Sequence, residues 1–143
     1  MVGARNTGLI LWDMRADMTS RQAIKGNAYE RSIVNYFRES GFVNAERTRA
    51  GWSDDRGDVH GITSPDGLAF TIECKNHRGD NLPGWCRELL PLWIRELEVE
   101  CANNKTYVGA VIHKKKGSTD MGEQYATLPF KMLVLLLRQA GYK

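Results

Sequence analysis

The residues best suited to chemistry in this sequence are Asp58 and the segment Glu73-Cys74-Lys75, because they combine two carboxylates with a lysine. Glu73 and Lys75 are two positions apart, so on a strand they face one side, while Ile72 and Cys74 face the other. If Asp58 lies on the neighbouring strand, its carboxylate lies beside that of Glu73. Two like charges held this close at the edge of a core repel each other unless a cation joins them. The pattern therefore predicts paired carboxylates with a lysine beside them.

A divalent metal ion is the natural partner of such a pair, and we expect Mg²⁺, with Mn²⁺ as its substitute. Carboxylate oxygens, a backbone carbonyl and water are the ligands that Mg²⁺ prefers, and the Cys74 carbonyl is placed to join Asp58 and Glu73. Such a site suits phosphodiester hydrolysis, because the ion activates water and neutralises charge on the phosphate. Lys75 could orient the nucleophile or stabilise the transition state. Glu30, on a predicted helix, could complete the acidic cluster.

A simpler interpretation of the same residues requires no metal. Asp58 could cap a turn, and Glu73 with Lys75 could form a solvent-facing ion pair worth well under about 1 kcal/mol. Because an aspartate followed by Glu-x-Lys is a common pattern, these three residues alone favour the simpler interpretation. Further residues are needed to favour a metal site.

The first element that would position the site is a helix near the N-terminus. Apolar residues recur about every 3.6 positions from Arg21 to Ser40, and Gly41 follows as a helix-ending glycine. Residues 1–20 show little periodicity, so we expect a flexible arm or a short strand there. We therefore divide the chain into an N-terminal arm, 1–20, and a single domain, 21–143.

Strands are predicted after this helix. Residues 42–49 are a weak candidate, whereas residues 58–63 and 68–75 are stronger ones. The four residues between them, 64–67, have the composition of a tight turn. We therefore expect a β-hairpin, which would hold the two carboxylates side by side.

The second half of the chain predicts two more helices and one more strand. Residues 85–101 have an apolar residue at every fourth position and Glu100 on the polar side, and Pro91 implies a kink or a restart. Residues 106–113 predict a buried strand, and residues 129–139 predict a last helix. This order of elements indicates an α/β or α+β fold with a central mixed sheet flanked by helices.

The composition is that of an ordinary globular protein. The 143 residues suit one domain, and 42% hydrophobic with 26% charged residues excludes a disordered or collagen-like chain. A net charge of +3 is too small to diagnose nucleic-acid binding. Seven of the 20 basic but only two of the 17 acidic side chains fall in residues 102–143, around Lys114-Lys115-Lys116. A solvated loop explains this lysine run at least as well as a phosphate-binding patch does.

Cysteine usage and apolar runs bear on the compartment. Cys74, Cys86 and Cys101 are widely spaced and odd in number, which argues against a disulfide framework or a structural zinc site. The longest apolar run, residues 132–137, is too short to cross a bilayer, and the N-terminus lacks a secretory pattern. We expect a cytoplasmic protein, in the host cytoplasm if the source is viral, with no membrane partner.

Several segments form a wider pattern around the acidic residues. They are Lys25-Gly26-Asn27-Ala28-Tyr29-Glu30-Arg31 on a helix, Gly41-Phe42 after it, Arg49 and Ser53 in a loop, Gly57-Asp58-Val59, and Ile72-Glu73-Cys74-Lys75. This arrangement, over roughly residues 25–113, resembles the PD-(D/E)XK nuclease superfamily. Within it, the pattern is most similar to Holliday junction resolvases of the archaeal type, in a cellular or phage-encoded form. The resemblance implies a restriction-endonuclease-like core.

The resemblance also implies a metal site of three carboxylates with a catalytic lysine. These roles pass to Glu30, Asp58, Glu73 and Lys75. The family often has a serine in the loop before the aspartate, which Ser53 matches. Two residues depart from the family pattern, since Gly57 replaces a proline and Cys74 stands where aliphatic residues are commoner. Neither position supplies a metal-binding side chain, so the implied site is unaffected.

Branched DNA, and four-way junctions in particular, is the substrate that the resemblance implies. A junction has two symmetric strands to cut, so a homodimer is implied as well, with an interface on the 85–101 helix or the last helix. The expected DNA contacts are Lys25, Arg31, Arg49, Trp52, Ser53, Arg56, Arg78, Lys114, Lys115 and Lys116. Arg49, Trp52 and Arg56 are preferred because they lie in or beside the loop before the aspartate.

Other functions remain open at this point. A repair or restriction-like nuclease would keep the same site and act on linear, flapped or single-stranded DNA. A DNA-binding module without catalysis would keep only the nuclease fold, although clustered carboxylates that repel DNA argue against it. In a structural or interaction protein the cluster would be a coincidence.

Overall fold

The structure, a computed structural model, describes the backbone of residues 7–76 and 88–143, and their side chains apart from residues 7–20 and 22. The helices within it are α1 (Thr7–Glu39), α2 (Leu90–Asn103) and α3 (Phe130–Gln139). The strands are β1 (Glu46–Arg47), β2 (Val59–His60), β3 (Thr71–Lys75), β4 (Gly109–His113) and β5 (Tyr125–Thr127). A short 3₁₀ helix, Met121–Glu123, precedes β5.

The strands form one mixed five-stranded sheet in the order β1-β2-β3-β4-β5. Neighbouring strands are antiparallel except β3 and β4, which are parallel and are connected through α2. Parallel neighbours need such a crossover because the end of the first strand and the start of the second lie at opposite ends of the sheet. The predicted fold class, a central mixed sheet flanked by helices, is confirmed, with a sheet that is mostly antiparallel.

The predicted hairpin is formed by β2 and β3. Val59 pairs with Ile72, and the connection closes with a hydrogen bond of 2.9 Å from the Gly67 N–H to the Ser64 carbonyl. Gly67 has φ +81°, a conformation that suits a residue without a side chain. Both strands are shorter than predicted, and so is β1 within the predicted strand 42–49.

Helices pack on both faces of the sheet. One core lies between α1 and the first strands and consists of Tyr29, Ile33, Val34, Ala45, Val59, Ile62 and Ile72. The other lies between α2, α3 and β4 and consists of Trp93, Leu97, Cys101, Val111 and Met132. Because Glu73 pairs with Val111 across the ladder, Glu73 lies on the α2 side of the sheet.

The N-terminal helix is longer than predicted. α1 begins at Thr7, so the expectation of a flexible arm or short strand over residues 1–20 is wrong from Thr7 onward. Its 33 residues contain no proline and many good helix formers, which compensates for the weak apolar periodicity. The helix ends as predicted, with Gly41 at φ +101° and the Phe42 N–H bonded to the Phe37 carbonyl at 2.9 Å.

The second half of the chain agrees with its prediction at Pro91 and differs from it at β5. Of the two outcomes predicted for Pro91, a kink or a restart, the structure has the second, because Pro91 lies in the first turn of α2; residues 85–87 lie outside the described residues. Strand β5 was not predicted, because its three residues are largely exposed and show no alternation. Among the described residues, no helix is long and apolar enough to span a membrane.

Candidate active site

Asp58 lies where the chain enters β2, directly beside β3. Its backbone N–H donates to the Ile72 carbonyl at 2.8 Å, and its Oδ2 accepts a hydrogen bond from the Cys74 backbone N–H at 2.7 Å. Gly57, with φ +89°, allows this approach, because its α-carbon lies against the Ile72 carbonyl. The hairpin therefore carries the Asp58 carboxylate to the strand that contains Glu73.

Glu73 and Lys75 face α2. Glu73 is only 8% exposed, and its Oε1 lies 2.6 Å from the Lys75 Nζ, which also contacts Glu96 Oε2 at 2.5 Å. Burial opposes the charge of Lys75, but its hydrogen bonds to Glu73 and Glu96 outweigh burial and raise the pKa of the ammonium above its usual value. The simpler interpretation of the sequence is confirmed in that Glu73 and Lys75 form an ion pair, but this pair is largely buried rather than solvent-facing.

The carboxylates of Asp58 and Glu73 repel each other. Burial, followed by the negative charge of Glu73, raises the pKa of Asp58 from 3.8 to about 7, and the hydrogen bond from the Cys74 amide opposes this shift. The charge of Glu30 raises it further, by less than that of Glu73, while Lys75 lowers it. Glu73 is buried and Asp58 is half-buried, so ionising both carboxyl groups is unfavourable, and a bound cation would relieve the repulsion between them.

Glu100, on α2, is a member of this cluster that sequence reasoning missed. It is 3% exposed, so its predicted place on the polar side of the helix is wrong. Burial, a hydrogen bond with Glu73 and the charges of Glu73, Asp55 and Asp58 raise its pKa from 4.5 to about 10. Its position seven residues after the buried Trp93 was the available signal, because that spacing returns to the same helix face.

Glu30 is close enough to influence Asp58 electrostatically, but its carboxylate is bound elsewhere. Arg47 on β1 donates to it, with the Arg47 Nη2 at 2.7 Å from Glu30 Oε2 and the Nε at 2.8 Å. The same arginine also donates to the Asn27 side chain at 2.8 Å. Of the three predicted carboxylates, the structure brings Asp58 and Glu73 together and leaves Glu30 paired with arginine.

The Cys74 side chain packs against the core under α1, as strand alternation predicts. Burial, and then the charges of Asp58 and Glu73, raise the pKa of its thiol, so the thiol stays protonated. Its backbone N–H binds the Asp58 carboxylate. Whether its carbonyl joins a metal site stays a prediction.

The donor set of the cluster suits a divalent cation. As the side chains stand, no group of three or more His, Cys, Asp or Glu in the described residues is arranged to hold a metal ion. The cause is visible in the contacts, since Asp58 is bound by an amide, Glu73 by Lys75 and Glu30 by Arg47. However, the oxygens are the hard ligands that Mg²⁺ prefers, and the buried Glu100 Oε2 has no hydrogen-bond partner among the described residues.

The loop before Asp58 presents Trp52, Ser53 and Arg56 beside the site. Trp52 is 48% exposed, with the His60 ring 5.3 Å from its ring and the Arg56 guanidinium 5.7 Å from its ring centre. The loop is tied to α2, because the Asn104 side chain donates to the Arg56 carbonyl at 2.8 Å. The predicted contacts in this loop are thus exposed on a tethered segment.

Arg31 and Arg49 lie in a groove between α1 and β1. Arg38 and Arg47 line the same groove, whose volume is about 390 Å³. Arg38 is held by the Ala45 carbonyl, to which its Nε donates at 2.8 Å. Four arginines and one glutamate, Glu46, line this groove, so its surface is basic.

Lys25 and Lys114, two of the lysines predicted to contact DNA, lie near the C-terminal end of β3. The Asn76 side chain donates to the Lys25 carbonyl at 3.3 Å, and the Lys114 N–H donates to the Lys75 carbonyl at 3.2 Å. Lys115 pairs with a glutamate, Glu123, at 3.3 Å. Lys116 is exposed in the same loop, and Arg78 lies outside the described residues.

Comparisons with known proteins identify no relative. No family model matches the chain, and neither does any curated protein or solved structure.

Proposed function

We propose that this protein is a Mg²⁺-dependent endonuclease that nicks branched DNA, four-way junctions in particular. The observation that carries the proposal is the partly buried cluster of Asp58, Glu73 and Lys75 on one side of the β2–β3 hairpin. Clustered carboxylates beside a lysine, on the central strand of the sheet and with arginine and lysine residues around them, suit a reaction at a phosphodiester. A protein that only bound DNA would gain nothing from buried negative charge there.

Asp58 and Glu73, with Glu30 and the Cys74 carbonyl, are the groups that would hold Mg²⁺ or Mn²⁺. Such an ion would act as a Lewis acid, lowering the pKa of bound water and neutralising charge on the phosphate. Glu30 would have to leave Arg47, from which it is separated by 2.7 Å, or act through its charge alone. Asp58 and Glu73 are therefore the primary ligands in this proposal.

Lys75 would act on the phosphate rather than as a base. Its raised pKa keeps the ammonium protonated at neutral pH, so it can stabilise negative charge that develops on phosphate oxygens. Glu73 holds one side of the ammonium, while its other partner, Glu96, is half-exposed. A phosphate oxygen would take the place of Glu96 beside the Lys75 Nζ.

Basic and aromatic groups on both sides of the cluster support a DNA substrate. The arginine groove that contains Arg31 and Arg49 lies toward α1, and Lys114 lies at the C-terminal end of β3, next to Lys75. These groups contact backbone phosphates, which position DNA without reading its sequence. Trp52 beside Asp58 offers a ring to an unpaired base, which branched DNA exposes.

The homodimer implied by the family resemblance stays a prediction. The last helix, α3, leaves apolar side chains exposed, among them Phe130, Val134 and Leu135. A two-fold interface on this helix would give a second active site for the second strand of a junction.

The test is a cleavage assay with Mg²⁺ or Mn²⁺ on a synthetic four-way junction. Linear duplex, flap and single-stranded DNA of matched sequence serve as comparison substrates, and Asp58→Asn serves as the inactive control. We expect paired nicks at symmetric positions in the junction, with ends that a ligase can rejoin. Equal cleavage of linear DNA would contradict junction specificity and indicate a general nuclease. Binding of every DNA without any cleavage would favour a DNA-binding module.

A further inference from the structure

Glu100 occupies a position in α2 at which an apolar side chain is expected. Trp93 and Leu97, seven and three residues before it, and Cys101, directly after it, all belong to the core under α2. Glu100 is nevertheless 3% exposed among them. A buried carboxyl group is costly unless it is paired or bound to a cation. The burial of Glu100 therefore requires a partner.

The structure provides partners for only one of the two oxygens of this carboxyl group. Glu100 lies beside Glu73, close enough for a protonated Glu100 to donate a hydrogen bond to it, and the charge of Asp58 also acts on it. Its Oε2 is fully buried and has no hydrogen-bond partner among the described residues. Lys75, which could have neutralised it, contacts Glu73 and Glu96 instead. A protonated Glu100 that donates to Glu73 would leave Oε2 without a donor.

We infer that Glu100 is a further ligand of the divalent cation, contributed by α2, and that its Oε2 binds the ion together with Asp58 and Glu73. This inference rests on the proposed function, because it assumes that the cluster takes Mg²⁺ or Mn²⁺. Charge supports it, because Glu73 and Glu100 are buried and Asp58 is half-buried. Among the described residues, the ion pairs of this cluster involve one ammonium, that of Lys75, which also pairs with Glu96. A divalent ion supplies the positive charge and the oxygen contact that Glu100 lacks.

Mn²⁺ binding to the full chain without DNA tests this inference by isothermal titration calorimetry. Glu100→Gln removes the anionic oxygen but keeps the shape and a donor for Glu73. We expect it to weaken Mn²⁺ binding at least about tenfold. Glu98→Gln is the matched control, because Glu98 lies on the same helix, is exposed and pairs with Lys131 at 2.9 Å. It should bind Mn²⁺ as the original chain does.

Unfolding temperatures separate a ligand from a residue that only supports the fold. If Glu100 only supported the fold, Glu100→Gln would lower the unfolding temperature in EDTA. If Glu100 is instead a metal ligand that destabilises the metal-free fold, Glu100→Gln should unfold in EDTA at the same or a higher temperature than the original chain. Its unfolding temperature should also rise less when Mn²⁺ is added. Glu100→Asp, which keeps the carboxylate on a shorter side chain, should bind Mn²⁺ more tightly than Glu100→Gln. Equal binding by these two variants would count against the inference.

The outcomes distinguish this inference from the proposed function. If Glu73→Gln abolishes Mn²⁺ binding and Glu100→Gln leaves it unchanged, Glu100 is not a ligand and the proposed metal site stands. If the original chain does not bind Mn²⁺ at all, both are overturned.

Discussion

The α-carbon of Gly57 faces the carbonyl oxygen of Ile72 so closely that a Cβ there would lie 2.6 Å from that oxygen. Gly57 also has φ +89°, a region that proline cannot reach because its ring holds φ near about −65°. This close approach brings the next residue, Asp58, against β3. Steric constraint therefore explains why glycine stands where the nuclease motif that the sequence resembles has proline.

Gly57→Ala should destabilise the protein more than an equivalent change at another left-handed glycine. Gly67 is the matched control, since its φ is +81° and no atom lies within 4 Å of an added Cβ. We expect Gly67→Ala to lower the free energy of unfolding by about 1–2 kcal/mol, the cost of the backbone conformation alone. Gly57→Ala should cost at least about 1 kcal/mol more because of the contact with β3. Urea unfolding measures both, and equal losses would contradict the argument.

Asp58, Glu73 and Lys75 could be placed together from the sequence because the interactions that do so are local. A tight turn joins two short strands, and the period of two along β3 separates Glu73 and Lys75 from Ile72. Neither step depends on distant parts of the chain. The same logic predicted the burial of the Cys74 side chain on the opposite face.

Other features depended on packing that a sequence pattern does not contain. The spacing of seven residues from Trp93 to Glu100 indicates a shared helix face, but the sequence does not show that α2 packs on the sheet with Glu100 beside Glu73. Strand β5 exists because the edge of β4 was available for pairing, with His113 opposite Tyr125. Residues 7–20 joined α1 because a formed helix extends at little cost, even without strong periodicity.

Lys75→Met should reduce the rate of cleavage while leaving DNA binding nearly intact. The substitution removes the ammonium that Glu73 holds at 2.6 Å but keeps a long side chain. We expect the single-turnover rate to fall at least about 10²-fold, because the charge acts mainly on the transition state. Lys131→Met, at an exposed lysine, is the control and should cut normally. Unchanged cleavage by Lys75→Met would remove the lysine from the proposed mechanism.

Arg31→Ala and Arg49→Ala should each weaken DNA binding in a salt-dependent way. Both residues line the basic groove between α1 and β1, where a phosphate backbone would lie. The slope of log K against log salt concentration is negative, and loss of one phosphate contact reduces its magnitude by about 1. Fluorescence anisotropy in EDTA, at several salt concentrations, gives the slope for each variant. Arg138→Ala, on α3, should not change it, and an unchanged slope in both groove variants would place the DNA elsewhere.

The stability of the metal-free protein should fall as pH rises. The pKa values of Asp58 and Glu100 are raised from 3.8 to about 7 and from 4.5 to about 10, with burial as the largest cause. At neutral pH the folded protein therefore holds protons that the unfolded chain has released. Stability decreases with pH wherever the folded state binds more protons than the unfolded state. The stability that protonated Asp58 contributes begins to be lost above pH 3.8 and is fully lost above about pH 7.

Unfolding temperatures in EDTA between about pH 5 and about pH 8 measure this decline. Asp58→Asn and Glu100→Gln should each flatten it, because an amide releases no proton in this range. Glu98→Gln changes an exposed carboxylate on the same helix and should leave the slope as it is. Saturating Mn²⁺ should also flatten the decline in the original chain, since a bound cation offsets the charges that appear as protons leave. If Asp58→Asn, Glu100→Gln and the original chain all lose stability with the same slope, the cluster does not hold protons at neutral pH and its carboxylates do not repel one another as argued.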